Sequence, residues 1–326
     1  MSNTSIPKVA IITRTMDRSL MLKRALESVK NQTYKNYIHV ILNNGGDQKE
    51  LEKLLDEYPD KNRIVINNRV NAGMTKGENQ AIRAVKSEYI TILDDDDAWP
   101  PERLEKTVTY LDETKEKAVA VKMIIVIEEI NGDTIKRISE TIPPESTEGE
   151  INLYKQFTRN YLADGIVTYR RDVYEELGGY DESMPTAADW DFGIRLLLRY
   201  DVALLRNEEP MLYYHQRPTQ TGVQGNAVHA GLLRQEKTIN MLRNKYLRDD
   251  LKAGKIGVGY IMNQTAYDAI IDQNLRLYIE AIAKQIIEKV DDRTDHITGN
   301  ISNQLDQQDY VRRAKAKIKR IVKRDK

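Results

Sequence analysis

Cysteine is absent from this sequence of 326 residues. That absence excludes disulfides, thiolate catalysis and cysteine-based zinc or iron–sulfur centres, and it fits a reducing compartment. No run of apolar residues approaches the roughly 18 needed to cross a bilayer. The first residues lack the basic and apolar regions of a secretory signal. We therefore expect a cytoplasmic protein without a membrane span.

A net charge is also absent, because 50 Lys and Arg residues balance 50 Asp and Glu residues. This balance argues against a generally basic nucleic-acid binder, and we expect no nucleic-acid partner. The balance hides an asymmetry: residues 310–326 carry nine basic residues and one Asp. A basic tail on an acidic body indicates an interaction partner.

Short apolar runs alternate with helical periods over the first ninety residues. The runs predict buried strands, and apolar residues at spacings of three and four predict amphipathic helices between them. Asp47 followed by Glu50 has the pattern of a capping box. Alternation of this kind predicts an α/β protein, with a mostly parallel sheet flanked by helices. The predicted strands are residues 8–13, 38–42, 64–66 and 89–93.

Beyond residue 100 the pattern changes. We expect a helix carrying Leu104 and Leu111, one long strand over 118–130, and a hairpin turn at Asn131-Gly132 that leads into 134–138. Residues 139–150 read as a loop. Further strands are predicted at 165–169, 202–205 and 211–215, with a helix at 189–200. Helical periods dominate from about residue 227, so we predict an α/β domain over 1–228 and a helical region with a basic tail over 229–326.

Four consecutive aspartates, Asp94 to Asp97, directly follow the strand that ends at residue 93. Like charges held this close raise one another's pKa unless a cation neutralises them. A hard divalent cation, Mg²⁺ or Mn²⁺, suits such carboxylates together with phosphate oxygens of a substrate. The alternative is a solvated acidic turn. The position of the aspartates at a strand's carboxyl end favours the ligand site.

Two small-residue loops follow other strands. Asn71, Gly73 and Lys76 lie in a loop that enters a helix, where backbone N–H groups can face a diphosphate. Asn43 and Asn44 follow the second strand, and their amides can read the edge of a nucleobase. Both loops are equally compatible with ordinary turns.

Three further residues have both a structural and a chemical reading. Asp189 and Asp191 open a helix, where acids usually cap the N-terminus but can also supply a general base. His215 ends a predicted strand, and it is either a structural histidine or a ligand for a metal or a phosphate.

Taken together, six segments resemble family 2 glycosyltransferases of the GT-A fold, in order, over residues 7–218. A GT-A fold has a Rossmann-like, mostly parallel sheet flanked by helices, and here a helical extension would follow it. The six segments are T-R-T-M-D-R at 13–18, L-E-S-V with N-Q-T-Y within 26–34, N-A-G and Asn79 within 71–79, L-D-D-D-D-A-W at 93–99, L-G-G-Y-D-E at 177–182 and A-D-W-D at 188–191.

The resemblance implies an inverting transfer from a nucleoside diphosphate sugar, linked to UDP, dTDP or GDP. Asp96 would hold Mn²⁺ or Mg²⁺, Asp94 would meet the ribose or the metal, and Asp189 would be the general base with Asp191 as the fallback. Ala188 stands where the family usually has Glu, and Asn44 where it usually has Asp. The implied nucleotide-sugar contacts are Thr13, Arg14, Thr15, Arg18, Asn43, Asn44, Asn71, Gly73, Lys76, Asn79, Asp94 and Asp95, with His215 as a further metal ligand.

The acceptor implied is a glycan or a lipid-linked glycan in surface polysaccharide biosynthesis. Residues 310–326 repeat apolar residues among basic ones, so they can lie on an anionic membrane surface or form a solvated helix. Peripheral membrane association and homo-oligomerisation are two further interpretations that the sequence leaves open. Two alternatives stand: a nucleotidyltransferase, disfavoured because no Gly-rich loop follows the first strand, and a catalytically inactive glycan- or nucleotide-binding module.

Overall fold

A computed structural model describes residues 6–143, 151–205, 208–226, 232–300 and 307–324. The chain divides into two compact units, residues 1–262 and 263–326. The boundary predicted at residue 228 lies outside the described residues and stays a prediction. Residues 144–150 of the predicted loop also lie outside them.

The first unit contains every strand of the described chain, in two sheets. Seven strands form the larger sheet in the order β3-β2-β1-β4-β8-β5-β9, and three form a smaller sheet in the order β10-β6-β7. Within the larger sheet β8 runs antiparallel to both neighbours, and the other pairs are parallel. The strands are β1 (Val9–Thr15), β2 (Tyr37–Asn44), β3 (Arg63–Asn68), β4 (Tyr89–Ile92), β5 (Ala118–Val121), β6 (Met123–Asn131), β7 (Thr134–Thr141), β8 (Val167–Arg170), β9 (Ala203–Leu205) and β10 (Leu212–Gln216).

Helices cover the larger sheet because their apolar stripes face it. Half of the predicted capping box is present at the start of the second helix. Asp47 accepts hydrogen bonds from the backbone N–H groups of Lys49 and Glu50, but its own N–H donates to Asp17 Oδ1 and not to Glu50. Side chains of β1, β2 and β4 join those of the first helices in one apolar core. The helices are α1 (Ser19–Lys30), α2 (Gln48–Glu57), α3 (Met74–Arg83), α4 (Arg103–Glu113), α5 (Leu153–Thr158), α6 (Arg171–Glu176), α7 (Ala188–Leu197), α8 (Leu232–Ala253), α9 (Val258–Asn300) and α10 (Gln307–Arg324).

The single long strand predicted over 118–130 is wrong. The chain leaves the larger sheet at Lys122, whose carbonyl accepts a hydrogen bond from the Met211 N–H, and it continues as β6 in the smaller sheet. The Asn131-Gly132 turn is present, with Gly132 at φ 61°. β7 runs on to Thr141, beyond its predicted end at residue 138, because it stays paired with β6.

The described part of the second unit is helical, comprising the remainder of α9 and α10. In the part of the chain that the structure describes, no helix is both long enough and apolar enough to span a bilayer.

Candidate active site

The order of the larger sheet brings the predicted loops to one edge. β1 lies between β2 and β4, and the chain moves outward in opposite directions from β1 and β4. In open α/β sheets ligands bind at such a switch point, beyond the carboxyl ends of the strands. The turn after β1 contacts the turn after β4 through Arg18, and a small cleft lined by Thr15, Arg18 and Asn43 opens between the turns after β1 and β2.

Asp96 is the centre of an ion-pair cluster in this region. Its Oδ2 accepts a hydrogen bond from Arg18 Nη2 at 2.7 Å, from the fully buried Arg217, and from Asn226 Nδ2 at 3.3 Å. Burial alone would raise the pKa of Asp96, but Arg18 and Arg217 bring it below its usual value. Asp96 therefore keeps a negative charge in the folded protein.

A second carboxylate, Glu128 on β6, completes the cluster. It accepts from Arg24 Nη1 at 2.7 Å and from Arg217 Nη1 at 2.6 Å. Arg217 thus bridges Asp96 and Glu128, and Arg24 also donates to the carbonyl of Asp96. Separating the smaller sheet from the aspartate turn would leave these buried charges without partners, which is costly. The contacts therefore hold the smaller sheet against the aspartate turn.

The other aspartates of the turn differ in their environments. Burial and the charge of Asp96 raise the pKa of Asp94. Burial raises the pKa of Asp95 to about 7, although Arg18 donates to its Oδ1 at 2.7 Å. Asp97 accepts from the His215 N–H at 2.9 Å, and burial with two neighbouring aspartates raises its pKa well above the usual value. Together these carboxylates favour a cationic ligand.

The residues present fit a divalent cation that shares its ligands with a substrate. Among the described residues, side-chain donors to Asp96 all contact Oδ2, so Oδ1 is without one. The Nδ1 atom of His215 is buried without a hydrogen-bond partner, and burial lowers the pKa of this imidazole to about 4, which keeps it neutral. Within the described ranges no three acidic or histidine side chains form a cage. Mg²⁺ and Mn²⁺ sites commonly use one or two carboxylates with phosphate oxygens and water, so a cage is not required.

Asp189 lies in the first turn of α7, and its negative charge raises the pKa of Asp94 in the aspartate turn. Asn160 donates to its Oδ2 at 2.6 Å. Burial raises the pKa of Asp189, and backbone N–H groups, Asn160 and Arg14 oppose that rise. Ala187, the residue just before α7, has φ 56°, a left-handed conformation that costs a non-glycine residue energy and often occurs at functional sites.

Three more charged residues surround this position. Arg14 Nη1 contacts Glu78 Oε2 at 3.3 Å, and Tyr180 donates to Asp164 Oδ1 at 2.7 Å. Burial raises the pKa of Glu78 to about 7, and burial with the charges of Glu78 and Asp189 raises that of Asp164 well above its usual value. The negative charges of Asp94 and Asp189 both raise the pKa of Glu78 and of Asp164. The two predicted acidic segments therefore converge on one place.

Asp191, the fallback base, has a structural environment. Its side chain is fully buried, with Oδ2 accepting from Arg195 Nε at 2.7 Å and Oδ1 accepting from Lys245 Nζ and the Tyr246 hydroxyl, each at 3.1 Å. A carboxylate with three partners and no exposure cannot receive an acceptor's proton in this conformation. Asp191 instead holds α8 against α7.

The predicted asparagines mainly connect loops. Asn44 donates to Asn71 Oδ1 and to the Gly73 carbonyl, at 3.0 and 3.1 Å, which joins the turns after β2 and β3. Asn43 bonds with both the N–H and the carbonyl of Gly46. Asn79 is fully buried and donates to the Tyr180 carbonyl, so no ligand reaches it in this conformation.

Thr13 and Thr15 are buried within β1, and Thr13 Oγ1 lies 2.9 Å from His39 Nε2. A nucleotide contact by the Thr13 side chain does not fit its complete burial. Lys76 is exposed on α3, whose preceding Gly73 has φ 91°. Of the predicted nucleotide-loop residues, Arg14 and Arg18 interact with the aspartate turn through their charges. Negative charges of that turn raise the pKa of both guanidinium groups.

Sequence reasoning missed several members of the site. Arg24 lies on a helix whose apolar spacing was its only recognised signal, and Glu128 lies within an apolar strand. An acid inside a run such as M-I-I-V-I-E-E-I is itself a signal, because a buried carboxylate needs a cationic partner. The other residues that were missed are Glu78, Asn160, Asp164, Arg217 and Asn226.

An open α/β sheet with an aspartate turn at its switch point defines the class: the fold is of the GT-A type. The sequence model of Glycosyl transferase family 2 matches residues 10–178, about half of the chain. The chain belongs to this family.

Relatives and a solved structure agree with this assignment. The chain is similar to an uncharacterized glycosyltransferase, MJ1057, of Methanocaldococcus jannaschii, at 29% identity over 59% of this chain and 65% of that protein, so the match spans slightly less than two thirds of its length. It is also similar to the putative colanic acid biosynthesis glycosyl transferase WcaA of Escherichia coli, at 26% identity over 60% of this chain and 67% of that one. The mannosyltransferase PcManGT of Pyrobaculum calidifontis, solved with GDP-Man and Mn²⁺, shares the fold with a TM-score of 0.55 and 17% identity, over 81% of this chain and 70% of that one.

Proposed function

We propose that this chain transfers a sugar from a nucleoside diphosphate sugar to a hydroxyl group of an acceptor, with inversion at the anomeric carbon. The acceptor oxygen attacks the anomeric carbon from the face opposite the diphosphate. The new C–O bond forms as the bond to the diphosphate oxygen breaks, and the nucleoside diphosphate leaves. The acceptor's proton passes to the carboxylate of Asp189, the general base.

One observation carries this proposal: Asp189, from the second half of the domain, shares its charged surroundings with Asp94. The charges of Asp94 and Asp189 both raise the pKa of Glu78 and that of Asp164. The charge of Arg14 lowers the pKa of Asp94 and that of Asp189. A base must lie within reach of the donor's reacting carbon, and this convergence supports that geometry. The helix start beneath Asp189 favours its ionised form.

We assign the metal-holding role to Asp96, with Asp94 and His215 beside it. A bound Mn²⁺ or Mg²⁺ would stabilise the negative charge that grows on the diphosphate. Arg18, with one guanidinium contact to Asp95 and one to Asp96, positions both carboxylates. The Mn²⁺ in the PcManGT structure supports a divalent cation here.

We infer an acceptor in surface polysaccharide synthesis, a glycan or a lipid-linked glycan, from the similarity to WcaA. We also propose that α10 associates with an anionic membrane at its cytoplasmic face. It alternates basic residues with apolar ones, such as Ile318, and side chains between 312 and 320 are largely exposed. Such a helix binds through its apolar side and its charge together.

The first experiment measures melting temperature with UDP, GDP, dTDP and CDP, each with and without Mn²⁺. A ligand that binds the folded state at 100 times its dissociation constant stabilises it by about 2.7 kcal/mol. We expect one nucleotide to raise the melting temperature, and to do so more with metal. Asp189→Asn should keep this shift and lose transfer by roughly 100-fold or more. Near-normal transfer by this variant would remove Asp189 from the role of base.

A second candidate is a nucleotide-binding module without turnover. Ala188 favours it, because an acid usual in the family is missing there, and so does Asp96, whose Oδ2 is already occupied by two arginines. The two candidates differ in donor hydrolysis. Slow release of free sugar in the presence of the stabilising nucleotide sugar would support the enzyme, and its complete absence, with binding intact, would support the module.

A further inference from the structure

Gln156, on the short helix α5, is a buried side chain with a fixed orientation. It is fully buried. Its Oε1 accepts hydrogen bonds from the backbone N–H groups of Tyr161 and Leu162, each at 2.9 Å. Two backbone donors on one oxygen settle which end of the amide is which. The Nε2 end is therefore available as a donor.

That donor begins a chain of hydrogen bonds with a single direction. Gln156 Nε2 donates to Asn160 Oδ1 at 3.2 Å, and Asn160 Nδ2 donates to Asp189 Oδ2 at 2.6 Å. Turning the Asn160 amide over would place its oxygen against the carboxylate and its nitrogen against Gln156 Nε2. Both contacts would then be unfavourable, so the backbone N–H groups of Tyr161 and Leu162 determine that Asn160 offers a donor to Asp189.

Helix α7 itself leaves room for this arrangement at Gly193. A Cβ atom at Gly193 would lie 2.5 Å from Gln156 Nε2 and 3.2 Å from Leu162 Cβ. A separation of 2.5 Å is too short for a real contact, so any side chain here would displace Gln156. Gly193 is thus part of the same arrangement, one turn along the helix from Asp189.

We propose that Asn160 is a positioning residue for Asp189 and is itself oriented by Gln156. By donating to Oδ2, Asn160 holds the Asp189 carboxylate in the rotation at which it receives the acceptor's proton. This inference rests on the proposed function, because it assigns a supporting residue to the same base. A short hydrogen bond to a carboxylate fixes its rotation and stabilises its charge. The effect reaches the reaction through Asp189 alone.

The charges around Asp189 decide the direction of the expected pH effect. Arg14, from β1, favours the ionised carboxylate, whereas Glu78 from α3, Asp94 after β4 and Asp164 before β8 oppose it. Asn160 acts on the side of Arg14 by lowering the pKa of Asp189. Its loss should therefore move the acidic limb of the kcat profile to higher pH.

The test compares Asn160→Asp and Asn160→Ala with wild type in steady-state transfer. Asn160→Asp keeps the shape but replaces the donor with a second acid beside Asp189 Oδ2, so it should move the acidic limb to higher pH further than Asn160→Ala does. We expect kcat to fall by about 10- to 100-fold, the loss typical of one hydrogen bond to a charged group, with the donor KM changed less than about threefold. Asn152→Ala is the matched control: it removes the cap of the same helix, a hydrogen bond to the Lys155 N–H, and should leave kcat and its pH profile unchanged.

Three further variants separate the possible failures. If Asp189→Asn keeps full activity, the proposed function fails at its base, whatever Asn160 does. If Asp189→Asn is inactive but Asn160→Asp keeps the wild-type kcat and pH profile, Asn160 is not a positioning residue. Gly193→Ala should lower kcat like Asn160→Ala, and adding Asn160→Ala to Asp189→Asn should cause no further loss. A further loss of tenfold would overturn the inference, because Asn160 would then act independently of Asp189.

Discussion

Glu78 is a carboxylate held largely out of water, and among the residues that the structure describes Arg14 is the cation paired with it. Burial raises its pKa from an ordinary 4.5 to about 7. Between these values the folded chain binds a proton that the unfolded chain releases, so this group's contribution to stability falls as the pH rises. As the pH rises from 5 to 7.5, the unfolding free energy of wild type should fall by about 1–3 kcal/mol more than that of Glu78→Gln. Urea unfolding at the two pH values measures this difference.

An exposed glutamate provides the comparison for this measurement. Glu113, the last residue of α4, is exposed, so Glu113→Gln should follow wild type at both pH values. His39, whose pKa burial lowers to about 3, destabilises the fold as the pH falls below about 6.5, but it does so equally in all three proteins. If the unfolding free energies of Glu78→Gln and wild type change in parallel with pH, Glu78 does not have a raised pKa in the folded protein.

Single residues at the ends of apolar runs could be predicted from the sequence. Asp94, Asp96 and Asp189 come directly after or before a strong periodic signal, and in the fold the charge of Asp189 interacts with that of Asp94. Asp96, Arg217 and Glu128 form a bridge that could not be predicted, because the partners are far apart in the chain and each looks unremarkable locally. Ion pairing between distant segments depends on strand order, which periodicity does not supply.

At the scale of elements, the turn after β2 approaches the turn after β3 at Gly45. Gly45 has φ 94°, and a Cβ atom there would lie 2.5 Å from the Asn71 backbone nitrogen. A positive φ costs a residue with a Cβ about 1–2 kcal/mol. The clash adds to this cost because the atoms met are backbone atoms of Val70 and Asn71, which cannot rotate aside as the end of a side chain can. We expect Gly45→Ala to lose about 3 kcal/mol or more of unfolding free energy, measured by urea denaturation.

Gly132 is the matched control for this prediction. It also has a positive φ, 61°, but a Cβ atom there would have no neighbour within 4 Å. Gly132→Ala should therefore show the conformational cost alone, about 1–2 kcal/mol. Equal losses in the two variants would mean that the close approach of the two turns contributes nothing.

Elements were predicted well where each obeys one period and less well where the chain changes sheets. The alternation over the first ninety residues identifies the core of β1 to β4, with ends displaced by a few residues. Ala118 to Ile130 is apolar almost throughout, yet it holds two strands of two sheets, separated at Lys122. Continuous apolar character indicates burial but carries no information on which sheet covers it.

At the scale of the whole molecule, positive charge is concentrated at one end of a chain that is neutral overall. Residues 310–326 hold a charge of eight positive, from nine basic residues and one Asp, and the remainder of the chain is correspondingly negative. Such a separation of charge lets α10 be drawn to an anionic surface that repels the rest of the chain. Near an anionic bilayer each basic side chain contributes about 1 kcal/mol, an attraction that salt screens.

Charge reversal in α10 tests the membrane proposal in the full chain. Lys317, Lys319 and Arg320 are exposed, and changing all three to Glu should weaken binding to vesicles of phosphatidylcholine with phosphatidylglycerol by more than about 100-fold, since three attractions of about 1 kcal/mol are lost. Co-sedimentation measures the bound fraction. Vesicles of phosphatidylcholine alone, and 0.5 M salt, should reduce wild-type binding as the variant does. Reversing three exposed charges of α8 and α9, Arg248, Lys252 and Lys284, is the control and should leave binding strong. If the two triple variants sediment alike, α10 is a solvated helix.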